Sequence, residues 1–280
     1  MMTDEQRYLY DLQGYLHLKN ALSAEELKAA QQAAERYIKT PPEDLPEGFS
    51  IDGNLSREEW KRCLHGFAFD KALERLCLHP SIWPIIKELM NYKPRLTMGT
   101  LLVEFPNEGT SKPLQLHCAR DDFGWESVRY EVRAGRIFCD DLVAFPYLSD
   151  VYPGDGGLLV VPGSHKSSFN RPPELFNNGV IESLETLPEG VVNVTPKAGD
   201  FVVMNEALTH GALPWRSKDR MRMMLVLRYS LQYRQNLFFH YRELPNAITG
   251  RLSPETLELT AGAGYTDIKE IVAKGSSDDN

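Results

Sequence analysis

The chain has 280 residues, 42% hydrophobic and 25% charged, a composition that excludes extensive disorder and membrane embedding. Its formal net charge of -8 argues against a general nucleic-acid binder, whose affinity rests on many Lys and Arg contacts to phosphate. No apolar run approaches the roughly 20 residues of a membrane span, and the N-terminus lacks a signal-peptide core, so a cytoplasmic protein is expected.

One domain, 1–280, is the expectation at this length. Cys63, Cys77, Cys118 and Cys139 are widely spaced with no CxxC pair, which points to reduced thiols rather than a zinc ribbon or a disulfide framework. The first part, to about 94, reads as mostly helical. Thr3-x-x-Gln6, Ser23-x-x-Glu26 and Ser56-x-x-Glu59 each match a capping box, in which a hydroxyl and a Glu or Gln side chain satisfy exposed backbone donors, so three helix starts are predicted. Between the first two, 14–18 alternates too sharply for a helix and reads as a strand. The three prolines of 41–48 make that segment a loop, and a fourth helix is expected from Ser81, since Pro84 is tolerated in a first turn.

From about Arg95 short apolar runs alternate with Gly, Pro, Asn and Asp. Strands are predicted over 97–105, 114–117, 137–148, 157–161, 191–194, 201–204 and 223–231, a spacing that favours a β-sandwich or barrel over βαβ units. Segment 164–190 reads as a long surface loop near one mouth, and the small polar tail 275–280 as frayed. A core over about 95–235 and an extension over 236–280 complete the division. No internal repeat, GxGxxG or P-loop pattern is present.

His117 ends a short apolar strand, and His210 is the nearest downstream match for a strand-end histidine. Neutral imidazole is a good iron ligand, and two histidines with one carboxylate leave positions open for a cosubstrate and oxygen. Where His-x-Asp would supply that carboxylate, the chain has His117-Cys118-Ala119. Arg220 and Arg222 flank Met221, and Arg222 shares strand parity with Met224 and Val226. A guanidinium there would anchor a dicarboxylate through two parallel hydrogen bonds. For His165, in a Pro-Gly-Ser-His turn, bonding to loop backbone is as good a reading as catalysis; His17, His65, His79 and His240 lack partner spacing. Phe123, Trp125, Tyr130, Phe145 and Tyr147 cluster in sequence around the site, with core packing the expected role for at least half.

Together these pieces resemble the phytanoyl-CoA dioxygenase family of iron(II) and 2-oxoglutarate dependent oxygenases. The resemblance runs over most of the chain, through Gly14-Tyr15-Leu16-His17-Leu18, Ala21 to Leu27, Gly156-Gly157-Leu158, Pro162-Gly163-Ser164-His165, Ala198-Gly199-Asp200-Phe201, His210-Gly211 and Arg222. It implies a mainly β fold with helices packed on one side, a cupin-like double-stranded β-helix or jelly roll. It further implies Fe(II) on His117 and His210, 2-oxoglutarate on Arg222 with Arg220 nearby, and a small-molecule substrate hydroxylated with molecular oxygen.

Two departures stand out. Alternate strand residues share a face, so the family's third ligand belongs at Ala119, which coordinates nothing. Asp121 would lie roughly 13 Å along an extended chain from His117, and serves as a ligand only if the chain folds back at Arg120. Ala212 replaces a small hydroxyl residue expected soon after the distal histidine. Three readings are open: hydroxylation with Asp121 or water completing the site; halogenation, as in the similar iron halogenases, with chloride in the space left at Ala119; or a silent homologue binding a ligand or partner. A cupin-like hydrolase or isomerase is a fourth.

Overall fold

The first helix, α1 (Asp4–Gln13), starts as its residues dictate: the Thr3 hydroxyl accepts from the Gln6 N–H, and the Gln6 side chain accepts from the Thr3 N–H at 3.0 Å. Gly14, at φ 84°, ends it and releases the chain into strand β1 (Tyr15–Leu18). Ser23 and Glu26 form the same reciprocal cap on α2 (Ala24–Lys39), whose buried Ala30, Ala33, Ala34 and Tyr37 recur at helical spacing. The protein is described from a computed structural model covering residues 1–52, 59–107, 113–123, 128–173, 180–234 and 244–277.

The third predicted helix start, at Ser56, lies outside the described residues. The next described element is strand β2 (Trp60–Cys63), not a helix. Its backbone is taken up by the free edge of β3 (Pro94–Glu104), in register from Trp60 opposite Glu104 to Cys63 opposite Leu101, so tertiary pairing overrides the local signal. Helix α3 (Lys71–Glu74) comes next, then α4 (Trp83–Leu89) with Pro84 in its first turn as expected.

Beyond β3 come β4 (Leu114–His117), α5 (Ala119–Phe123), β5 (Tyr130–Arg133), β6 (Arg136–Cys139), β7 (Asp141–Pro146), β8 (Gly157–Val160) and β9 (Val192–Asn193). After these run β10 (Phe201–Asn205), β11 (His210–Leu213), β12 (Arg222–Leu231), α6 (Asn246–Thr249), α7 (Pro254–Thr260) and α8 (Glu270–Ser277). The single strand predicted over 137–148 is two, parted at Asp140, because β6 pairs back on β5 while β7 enters the main sheet. The tail predicted as frayed is helical as far as Ser277; 278–280 lie outside the described residues. Within 164–190 the described residues form neither strand nor α-helix, apart from one 3-10 turn at Ser164–Lys166.

All pairings among the described residues are antiparallel. One sheet has the order β1-β10-β7-β12-β3-β2, a second β4-β11-β8-β9, and β5-β6 form a hairpin. Strand parity sorts the side chains into layers. On β12, Met223, Leu225 and Leu227 join the core that buries the helices, while Met224 faces the second sheet with Val143, Phe145, Val160 and Met204. On the second sheet, Leu116 and Leu213 pack outward, so His117 and His210, of opposite parity, are directed between the sheets.

Strand β11 is absent from the predicted set, since His-Gly-Ala-Leu has little β propensity. It forms because β4 and β8 satisfy its backbone on both sides. Gly211 is needed there: a Cβ would meet the Leu114 carbonyl oxygen at 2.7 Å.

Candidate metal and cosubstrate site

His210 opens β11 directly opposite His117, the last residue of β4. The ring centroids are 4.3 Å apart with planes inclined by 52°. Each ring is oriented by its own backbone. Nδ1 of His117 lies 2.8 Å from the Gln115 carbonyl, and Nδ1 of His210 lies 2.8 Å from the Leu208 carbonyl. A carbonyl only accepts, so each Nδ1 carries the hydrogen and each Nε2 the lone pair, which is the arrangement of a metal-ligating imidazole. Burial, reinforced by His117, lowers His210 to about 4, so that ring is neutral at physiological pH.

The carboxylates are arranged differently from the sequence expectation. Ala119 begins α5, so the chain does fold back at Arg120, yet the Asp121 carboxylate turns to other partners. It accepts from the Cys118 N–H at 2.9 Å and pairs with Arg171 at 2.8 Å. Against the cost of burial these interactions hold it below the usual carboxylate range. Among the described residues no three His, Cys, Asp or Glu side chains converge closely enough to hold an ion. Glu206, which sequence reasoning passed over, is nevertheless buried nearby. Its backbone oxygen accepts from the Ala119 N–H at 2.8 Å, and its carboxylate pairs with Arg228. Burial works to raise Glu206, but the charge and the hydrogen bond of Arg228 oppose it, and the net shift is downward.

Arg222 takes the position its parity predicts. It is 4% exposed, forms an ion pair with Glu104 at 2.5 Å across β12 and β3, and lies 5.9 Å from the centroid of the Trp215 ring. Burial raises Glu104 against the pull of Arg222. The Nη1 of Arg222 and the buried Tyr147 hydroxyl make no hydrogen bond. Burial pushes that hydroxyl up to about 12, opposed by Arg222. Two buried donors without acceptors are costly, and a carboxylate is the ligand that would relieve both. Gly157, at φ 81°, leaves room for the guanidinium: a Cβ there would stand 2.4 Å from Nη1.

Arg220 is held by carboxylates of its own. It pairs with Asp155 and Asp219, lies 4.4 Å from the centroid of the Tyr152 ring and, like Arg222, stands beside Trp215, 6.0 Å from that ring's centroid. Of the five aromatic candidates, Phe145 and Tyr147 belong to the inter-sheet core, and Tyr130 donates to Asp11 at 2.5 Å. Trp125 and the Phe123 side chain lie outside the described residues. His165 is fully buried edge-on to Tyr130, with centroids 4.4 Å apart. A cavity of about 360 Å³ opens beside the chain neighbours of both site histidines, lined by Cys118, Arg120, Asp121, Arg171, Ala207 and Thr209. The Gly-Asp motif has a structural use: Asp200 is 2.7 Å from His17 Nε2 and accepts from the Asn20 and Lys197 N–H groups at 2.8 Å.

A family model described as Phytanoyl-CoA dioxygenase (PhyH) matches residues 10–224. A probable phytanoyl-CoA dioxygenase of Caenorhabditis elegans is 25% identical over 233 residues, 76% of this chain and 70% of that protein. The peroxisomal phytanoyl-CoA dioxygenase of Homo sapiens is 23% identical over 225 residues, 76% of this chain and 64% of that protein. HygX from Streptomyces hygroscopicus, solved with nickel and 2-oxoglutarate, superposes with a TM-score of 0.68 at 24% identity, covering 98% of this chain and 99% of that one. At that identity the likeness speaks for the fold, a cupin-like jelly roll. No helix among the described residues is long and apolar enough to cross a membrane.

Proposed function

We propose, from the premise that this chain belongs to the phytanoyl-CoA dioxygenase family of iron(II) and 2-oxoglutarate dependent oxygenases, that it hydroxylates an aliphatic carbon of a small molecule. The observation that carries the reading is the pair of opposed imidazoles with both Nδ1 hydrogens committed to carbonyls. His117 and His210 would hold the metal. Arg222 and the Tyr147 hydroxyl would receive the far carboxylate of 2-oxoglutarate, and Gly157 keeps the approach to Arg222 open. Bound iron(II) with 2-oxoglutarate supplies the oxidising power to remove hydrogen from carbon, using molecular oxygen. The residues around it orient and exclude: the backbone carbonyls fix both rings, and the apolar inter-sheet core keeps water from the Arg222 pocket.

A second reading, halogenation, is favoured by one observation, the methyl side chain of Ala119 in the first residue of α5. An anionic ligand missing from a cation site leaves it open to a halide such as chloride.

Anaerobic titration with Fe(II) and then 2-oxoglutarate, followed by visible absorption, tests the assignment. The wild-type protein should bind both. Gly157→Ala should weaken 2-oxoglutarate by about tenfold or more, equivalent to about 1.4 kcal/mol, while leaving affinity for the metal alone unchanged. Failure of the wild type to bind iron would return the chain to the silent class.

A further inference from the structure

We propose that the cavity lined by Arg120, Arg171 and Phe169 binds the acidic group of the substrate, a carboxylate or phosphate carried on a small molecule with an apolar body. The inference rests on the oxygenase reading above, to which it adds a substrate class that neither the two histidines nor the Arg222 pocket specifies. The cavity, of about 360 Å³, is bordered by Cys118 and Thr209, each one residue from a site histidine. That volume lies at the lower end of small-molecule sites, so the part of the ligand held there is small.

The charged side chains of the lining are two guanidiniums, Arg120 and Arg171, and one carboxylate, Asp121, which leaves an excess of positive charge. Arg171 divides its donors between them and a hydroxyl. Its Nη2 gives to Asp121 at 2.8 Å, while its Nη1 reaches the Thr209 hydroxyl only at 3.4 Å, a long and weak contact. Arg120 reaches the Ser167 carbonyl, also at 3.4 Å. Burial pushes the Arg120 guanidinium down, so its charge is held at a cost that a nearby anion offsets. The parallel N–H groups of a guanidinium match a carboxylate or a phosphate, which is the ligand chemistry these two side chains share. An apolar body has its place as well. Phe169 lines the same cavity yet is 83% exposed, an aromatic ring left in water at the rim. Asp121 competes with the incoming acid for Arg171.

Calorimetric titration of the metal-free full chain with phenyl phosphate, benzoate and neutral benzyl alcohol tests the pocket. At least one of the two anions should bind about tenfold or more tightly than benzyl alcohol, and the tighter anion identifies the acidic group. Arg171→Gln should weaken that anion by about tenfold. Asp121→Asn keeps an acceptor for the Cys118 N–H but removes the competing charge, and should strengthen the anion. The opposite signs separate recognition from a merely structural effect, and Asp121→Asn decides the matter if Arg171→Gln does not fold. Gly157→Ala, which narrows the Arg222 pocket, should leave the affinity for this anion unchanged. In the wild type loaded with Fe(II) and 2-oxoglutarate, the same anion should shift the visible absorption band. No preference for either anion over benzyl alcohol, equal affinity in Arg171→Gln and wild type, weaker binding in Asp121→Asn, lost binding in Gly157→Ala, or an unshifted band would each overturn the proposal. A wild type that takes up no Fe(II) would instead overturn the oxygenase reading, while the titrations made without metal still judge the pocket.

Discussion

At the scale of single residues, the sequence reveals which side chains have chemistry to offer and which face of a strand they occupy. Arg222 is placed by its parity with Met224, whereas the direct opposition of His117 and His210 depends on the pairing of β4 with β11. Glu206 cannot be read this way, because its relation to Ala119 is made by a backbone hydrogen bond across more than eighty residues; the one available signal is an acidic residue four places before His210. Another residue whose consequence is local is His165. Burial, with Lys166 adding to it, lowers its imidazole to about 4 against an ordinary 6.5. The unfolded chain therefore binds this proton first, so the folded state loses stability as pH falls from about 6.5 towards 4, and the loss levels off below that. Between pH 7 and pH 5 the contribution is about 2 kcal/mol. Denaturant unfolding of His165→Asn at the two pH values should show a difference smaller by about that amount. A pH dependence identical to wild type would remove His165 as its source.

At the scale of elements, local signals succeed where structure is decided locally. The two capping boxes that fall on described residues start helices, because the cap is completed within four residues and needs no distant partner. Strands are harder. The edge strand β2 and the central strand β11 escape a sequence reading because their backbones are satisfied by neighbours far along the chain. Segment 137–148 reads as one strand because the polar pair Asp140-Asp141 is too short to announce a turn, and the break is set by β6 pairing with β5 while β7 pairs with β10. The Gly-Asp motif, legible as a pattern, turns out to join elements: Asp200 secures β1, the turn after it and the approach to β10. Asp200→Ala would leave the Asn20 and Lys197 donors without their acceptor in a site where Asp200 is 2% exposed. A loss of about 3 kcal/mol is expected in chemical denaturation, with His17→Ala costing less. A loss in Asp200→Ala no larger than in His17→Ala would show that the backbone contacts carry no weight.

At the scale of the whole molecule, the two faces of the six-stranded sheet have separate tasks. One buries the helices; the other, with the second sheet, encloses the candidate site. Composition and strand spacing make the mainly β architecture legible. The partition between the two cores is not, since it depends on register rather than on residue type.

The pairing of Arg222 with Glu104 and of Arg228 with Glu206 makes this interior electrically balanced before any ligand arrives. A dicarboxylate entering alone brings two negative charges into a low-dielectric space, and a divalent cation entering alone brings two positive ones. Entering together, they cancel. Under the function proposed above, each ligand should therefore raise the affinity of the other by an equal factor, as linkage requires. Titrating 2-oxoglutarate with and without Mn(II), and Mn(II) with and without 2-oxoglutarate, measures that factor twice. Independent binding would mean that solvent, and not the paired arginines, sets the field between the sheets.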